Sequence, residues 1–145
     1  MDKIEKPQKK VNSLQLLIWF RLSRIYHQSI RDSNQYLKNW GLTAAQFDVL
    51  VKVGMAKKLT QKELGEKLLV TKGNITQLLS KMETLDLIQR EQVWKTKYLS
   101  LTPKGESVFE EVVPLQEQFQ ADQFSNLTKE EQKQLLKLLR KLQQT

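Results

Sequence analysis

The chain has no cysteine among its 145 residues. Disulfide staples, thiol redox sensing and cysteine-ligated zinc are therefore excluded. Histidine occurs once, at His27, which argues against a metal cluster and against most triad chemistry. Carboxylate pairs, nucleophile–base sets and glycine-rich phosphate loops are also missing, so nothing points to an enzyme or to a cofactor. The longest apolar run, residues 16–20 (LLIWF), is too short to span a bilayer or to form a signal-peptide core. The simplest expectation is a cytoplasmic protein with no membrane partner.

Positive charge is what the chain has in quantity. The formal net charge is +8 and the pI is near 9.7, which suggests an anionic partner. A chain of this length forms one domain, or one domain with an appended interaction element, and can bury a real core.

Residues 60–82, TQKELGEKLLVTKGNITQLLSKM, organise the rest. They read as two short helices joined by a turn over residues 69–71. Thr60 and Glu63 form a T-x-x-E capping-box signature. Thr71 is a good N-cap just before an apolar-periodic run. Gly65 supplies the small residue where two steeply crossed helices approach. This is the pattern of a helix-turn-helix, whose second helix lies in the DNA major groove. At 100° per residue, Ile75, Leu78, Leu79 and Met82 fall on one side of that helix. The other side carries Gly73, Asn74, Thr76, Gln77, Ser80 and Lys81, with no carboxylate, as a surface facing phosphates requires. A merely solvated face usually mixes both signs, as Glu63, Glu66 and Lys67 do one helix earlier.

Residues 1–10 are charged, contain Pro7 and read as a flexible N-terminal arm. Residues 11–41 carry a helix over 11–39, roughly 43 Å long at 1.5 Å per residue, closed by Gly41. That length exceeds a small domain, and the apolar stripe through Leu14, Leu17, Ile18, Leu22 and Ile25 is unusually wide, the mark of a subunit interface. Residues 42–102 form the winged lobe. Thr43 and Gln46 open a helix that buries Phe47, Leu50, Val51 and Val53 and stops at Gly54. Asp86 stands where a left-handed residue must turn the chain out of the second helix. Two alternating stretches, 87–93 and 97–101, form a β-hairpin around Trp94-Lys95-Thr96. Its tip, Lys95-Thr96-Lys97, can reach a phosphate backbone or a minor groove, while Trp94 is expected to pack against the hairpin base. Residues 103–145 hold two more helices. Thr102-Pro103 starts the first, with Val108, Val112, Leu115 and Phe119 on one side and Pro114 kinking or breaking it. Thr128 and Glu131 cap the second, driven by Leu135, Leu136, Leu138, Leu139 and Leu142. The chain-end helices carry more apolar surface than the lobe can cover, so they are expected to cover each other across two copies.

The succession resembles the MarR family of winged helix-turn-helix transcription regulators. The words that carry the likeness are Gly41-Leu42-Thr43-x-x-Gln46-Phe47-x-Val49-Leu50 and Leu59-Thr60-Gln61-x-Glu63-Leu64. They continue with Leu68-x-Val70, Ile75-Thr76, Leu87-Ile88-x-Arg90 and Leu99-Ser100-Leu101-Thr102-Pro103-Lys104-Gly105. The resemblance implies a mainly α fold with a small β-hairpin wing, dimerised through helices from both chain ends. It implies a homodimeric repressor on pseudo-palindromic double-stranded DNA, released by a small aromatic or lipophilic ligand. Carried over by position, the base-reading helix is 71–85. The DNA-facing set becomes Thr60, Gln61, Thr71, Lys72, Gly73, Asn74, Thr76, Gln77, Ser80 and Lys81, with Lys95, Thr96 and Lys97 on the wing. A ligand cleft would draw on Trp19, Tyr26, His27, Trp40 or Phe47. This wing is shorter than the family's usual one and lacks its Asp-x-Arg-Arg run, so the minor-groove arginine has no counterpart. Lys95 or Lys97 is only a substitute, and the wing contacts are expected to be weaker or less sequence-selective. The runner-up is a winged-helix module that docks on protein or RNA without specific duplex binding.

Overall fold

Asn12 starts the first helix, its Oδ1 accepting the Leu14 backbone N–H at 2.9 Å. In the computed structural model, which describes residues 3–6, 10, 12–68 and 75–144, helix α1 (Ser13–Leu37) has 25 residues and spans about 38 Å. It stops slightly short of the expected end. The chain tightens into a 3-10 turn, Lys38–Trp40, before Gly41 swings out at φ 69°. Gly41 N–H donates to Lys38 O at 3.0 Å and Leu42 N–H to Leu37 O at 3.1 Å, satisfying carbonyls that the helix end would orphan. Leu37 and Leu42, which flank this turn, are both buried.

Helix α2 (Ala44–Ala56) is capped as its sequence implies: Gln46 N–H donates to Thr43 Oγ1 and Thr43 N–H to Gln46 Oε1. Gly54 does not end it. The helix runs on to Ala56 and leaves through Lys57 at φ 65°. Gly54 instead makes room for a neighbour, since a Cβ there would lie 2.5 Å from the Phe109 ring. Helix α3 (Gln61–Lys67) and helix α4, described as Ile75–Thr84, follow. Strands β1 (Ile88–Val93) and β2 (Thr96–Leu101) pair antiparallel, from Ile88 opposite Leu101 to Val93 opposite Thr96. Leu59 adds an isolated bridge to Leu99, with N–H···O bonds in both directions at 3.2 and 2.7 Å.

Helix α5 (Pro103–Asp122) begins with Thr102 accepting the Gly105 N–H and passes through Pro114 unbroken. Its buried stripe runs through Gly105, Val112, Val113 and Gln116. Leu115 shares the Val108, Val112 and Phe119 side, as expected, but lies at the edge of the buried stripe and is 44% exposed. Helix α6 (Lys129–Gln143) opens on the Thr128–Glu131 capping box. Hydrogen bonds from the Thr128 backbone and side chain hold the Glu131 carboxyl below the usual glutamate range.

Helix α2 is central, packing against α1, α3, α4, α5 and β2. Val49, Leu50 and Val53 meet Leu37, Leu64, Leu79, Met82, Leu99 and Val112 in one core. Two chain-end elements are left uncovered. The first half of α1 exposes Leu14, Leu17, Trp19, Phe20, Leu22 and Ile25 by 41 to 62%, and α6 has no buried residue.

Candidate nucleic-acid interface

Helices α3 and α4 come close where a side chain is missing. A Cβ on Gly65 would come within 3.1 Å of Ile75 Cδ1, so glycine lets the second helix lie close. Leu79 and Met82 then fall into the core, with Ile75 and Leu78 half-buried beside them. Thr76, Gln77, Ser80 and Lys81 remain exposed on the opposite side, as the helical wheel requires. Thr71, Lys72, Gly73 and Asn74, with the turn before them, lie outside the described residues.

One carboxylate does sit beside this face, and it is occupied. Arg90 of β1 donates from Nε to Glu83 Oε1 at 2.9 Å and from Nη1 to Gln61 Oε1 at 3.3 Å. A single guanidinium thus joins α3, α4 and the hairpin. Sequence reasoning missed this role, because the three residues lie on three elements and carry no common spacing. The same contact gives Gln61 a structural partner. Thr60 is likewise engaged, as the N-cap accepting the Glu63 N–H. The second half of the expected capping box takes another form: the Thr60 hydroxyl donates to Glu63 Oε1.

The far end of α4 is closed by Asp86 in the left-handed conformation at φ 59°, as its position in the sequence predicts. Asp86 N–H donates to Glu83 O and Leu87 N–H to Met82 O, the same arrangement as at Gly41. The next carbonyls are gathered by the start of α5. Lys104 Nζ donates to Leu85 O, the Thr102 hydroxyl to Asp86 O and the Thr102 N–H to Leu87 O. Gly105 is there because a Cβ would sit 2.0 Å from Leu87 O.

The hairpin differs from expectation at its tip. Two residues, Trp94 and Lys95, connect the strands, while Thr96 belongs to β2 and is half-buried. Lys95 and Lys97 are exposed. Trp94 does not pack on the hairpin base: it is 92% exposed. With only two linking residues the strands meet directly beneath it, so no surface remains for the indole to fold back on.

The candidate ligand aromatics do not converge. Trp19, Tyr26 and His27 are exposed along α1, while Trp40 Nε1 donates to Glu111 Oε1 at 3.1 Å. Phe47 alone among them lines a cavity of about 190 Å³ between α1, α2 and α5. Ser33, Asp48, Lys52 and Gln116 also border it. Gln116 is fully buried and its Nε2 donates to Ser33 Oγ at 3.0 Å, while its Oε1 has no partner among the described residues. Among the described residues there is no cluster suited to a metal ion, and no helix is long and apolar enough to cross a membrane.

Comparison with known proteins agrees with this geometry. The sequence profile of the MarR family matches residues 40–93. An uncharacterized HTH-type transcriptional regulator of Bacillus cereus is 46% identical over 132 residues, covering 90% of each chain. A cysteine-to-serine mutant of MarR from E. coli, solved in complex with operator DNA, is similar with a TM-score of 0.77. It is 28% identical and covers 88% of this chain and 95% of that one. AbsC, a MarR family regulator from Streptomyces coelicolor, shares the fold with a TM-score of 0.82 at 17% identity, covering 94% of this chain and 97% of its own.

Proposed function

The chain belongs to the MarR family of transcriptional regulators, and from that premise we propose that it acts as a homodimeric, sequence-specific repressor. The observation that carries this reading is the exposed face of α4. Thr76, Gln77, Ser80 and Lys81 offer donors, acceptors and a cation, and the neighbouring Glu83 carboxylate is neutralised by Arg90. Such a face suits base edges and phosphates. Dimerisation is supported by α1 and α6, whose apolar stripes stay largely exposed in one copy. Two lobes related by a two-fold axis then address half-sites about one helical turn, roughly 10 bp, apart.

The test is selection of preferred duplexes from random DNA, followed by salt titration. The selected site should be pseudo-palindromic, and affinity should fall steeply with salt as counterions are released. Alanine at Gln77 should cost about 1–3 kcal/mol on the selected site and little on random DNA. Alanine at Lys95 should weaken all sequences alike. Equal losses for both on every duplex would rule out this division between base reading and phosphate anchoring.

Release by a small ligand is supported by the cavity beside Gln116. A volume of about 190 Å³ holds a single aromatic ring, since an apolar cavity of about 150 Å³ takes benzene. The unpartnered Gln116 Oε1 calls for a hydrogen-bond donor on that ring. Single-ring phenols should therefore lower duplex affinity, and Gln116→Leu should abolish the response. Phenols without effect on either protein would remove this part of the reading.

A further inference from the structure

Trp94 departs from local preference in two ways. It is the first of the two residues linking β1 to β2, with φ 58°, a place where tight hairpin turns of this kind take glycine. It also leaves a large apolar ring 92% exposed, where burial would be strongly favourable. Neither departure is repaid by packing. Residues that break local rules without a structural return are the ones to suspect of function. The backbone beneath the ring is held, because Gln92 Nε2 donates to Trp94 O at 3.2 Å.

The surroundings select the partner. The turn and the two rungs beneath it, Gln92 to Lys97, carry Lys95 and Lys97 and no carboxylate, Glu91 standing one rung further down opposite Tyr98, so the charge of the tip complements phosphate. The turn is as short as a hairpin allows, which limits the reach of the backbone, and tryptophan extends that reach from the apex. A minor groove about 6 Å wide admits a ring edge-on but not flat. Its floor over A·T pairs presents only acceptors, adenine N3 and thymine O2, whereas a G·C pair adds the guanine amino donor. Indole Nε1–H is a donor with no acceptor role.

We propose that Trp94 is the wing's minor-groove reading group, entering edge-on and donating from Nε1–H to adenine N3 or thymine O2. Its faces lie along the deoxyribose walls, and Lys95 and Lys97 engage the flanking phosphates. The assignment rests on the duplex-binding reading above and gives the wing a preference for A·T pairs outside the major-groove half-sites. It replaces the expectation that a lysine performs this role.

The experiment uses the full chain and the duplex obtained by selection. The A·T pairs flanking each half-site are changed to G·C, which places an amino group in the minor groove, and separately to I·C, which does not. The intact protein should lose about tenfold in affinity on G·C flanks and recover on I·C. Trp94→Ala should bind all three duplexes alike. Trp94→Phe, which keeps a ring but lacks the donor, should lose the discrimination while retaining part of the affinity. Trp94→Gly should melt no lower than the intact protein, since glycine suits the turn, yet bind DNA more weakly. In the Trp19→Phe/Trp40→Phe protein the remaining indole emission should shift to the blue and become shielded from acrylamide on binding. Undiminished affinity and unchanged flank preference in Trp94→Ala, with specific duplex binding intact, would overturn the assignment alone. Shielding of the indole by anionic vesicles but not by the duplex would overturn it in favour of a lipid surface. Failure of the intact protein to bind any duplex specifically would overturn both readings.

Discussion

Asp86 precedes Leu87, whose carbonyl lies against Gly105, yet substitution should act on the two in opposite directions. Asp86 holds φ 59° at the exit of α4, a conformation that disfavours any side chain with a Cβ. Asp86→Gly should raise stability by about 0.5–1 kcal/mol, read as a higher urea midpoint with unchanged slope. Gly105 has ordinary backbone but no space, because a Cβ would lie 2.0 Å from Leu87 O. Gly105→Ala should cost about 3 kcal/mol, the upper end of the usual overpacking range, because backbone must be displaced. Gly41 is the control between them, with φ 69° and nothing within 4 Å of its would-be Cβ. Gly41→Ala should cost only about 1–2 kcal/mol, for the left-handed backbone alone. A Gly105→Ala loss no larger than that at Gly41 would mean the Leu87 segment yields more easily than its hydrogen bonds suggest.

Among the elements, the link from Arg90 to Glu83 and Gln61 ties α3, α4 and the hairpin together at the surface. The pair is partly exposed, so Arg90→Ala should cost at most about 1 kcal/mol of stability. Its effect on DNA should be larger, because the Glu83 carboxylate would be left unpaired beside the face proposed to meet phosphates. Affinity should fall on every duplex, and Glu83→Gln in the same protein should recover part of it; no recovery would show that the link acts through geometry alone. What the sequence disclosed at this scale was what is local. The caps at Thr43 and Thr128, the left-handed residue at Asp86 and the inward face of α4 each depend on residues a few positions apart. What it hid was what joins distant segments. Ser33 and Gln116 sit in polar stretches and find each other across the fold. Leu59 pairs with Leu99 through one bridge too short to leave an alternating pattern. Gly54 read as a stop because its real neighbour, Phe109, belongs to another helix. The exposure of Trp94 was hidden for the reverse reason, since a tryptophan in a hairpin ordinarily implies burial.

For the molecule as a whole, the uncovered stripes of α1 and α6 set the expected assembly. Phe20 is 60% exposed in the middle of the α1 stripe, where a charge would have to be buried against a second copy. Phe20→Glu should convert the sedimenting species from dimer to monomer, lower helicity as α6 loses its cover, and abolish operator binding. A monomeric intact protein would contradict this. The paired bonds between Leu59 and Leu99 bear on how such an assembly could be switched. They fasten the lead-in of α3 to the returning strand of the hairpin, so any torque arriving from the chain ends swings helix and hairpin through one shared angle. On the proposed duplex-binding reading, neither should leave the duplex without the other. For the proposed dimer, control is then expected through the separation of the two lobes, and an effector should change which operator spacings are tolerated while leaving the preferred bases as they were.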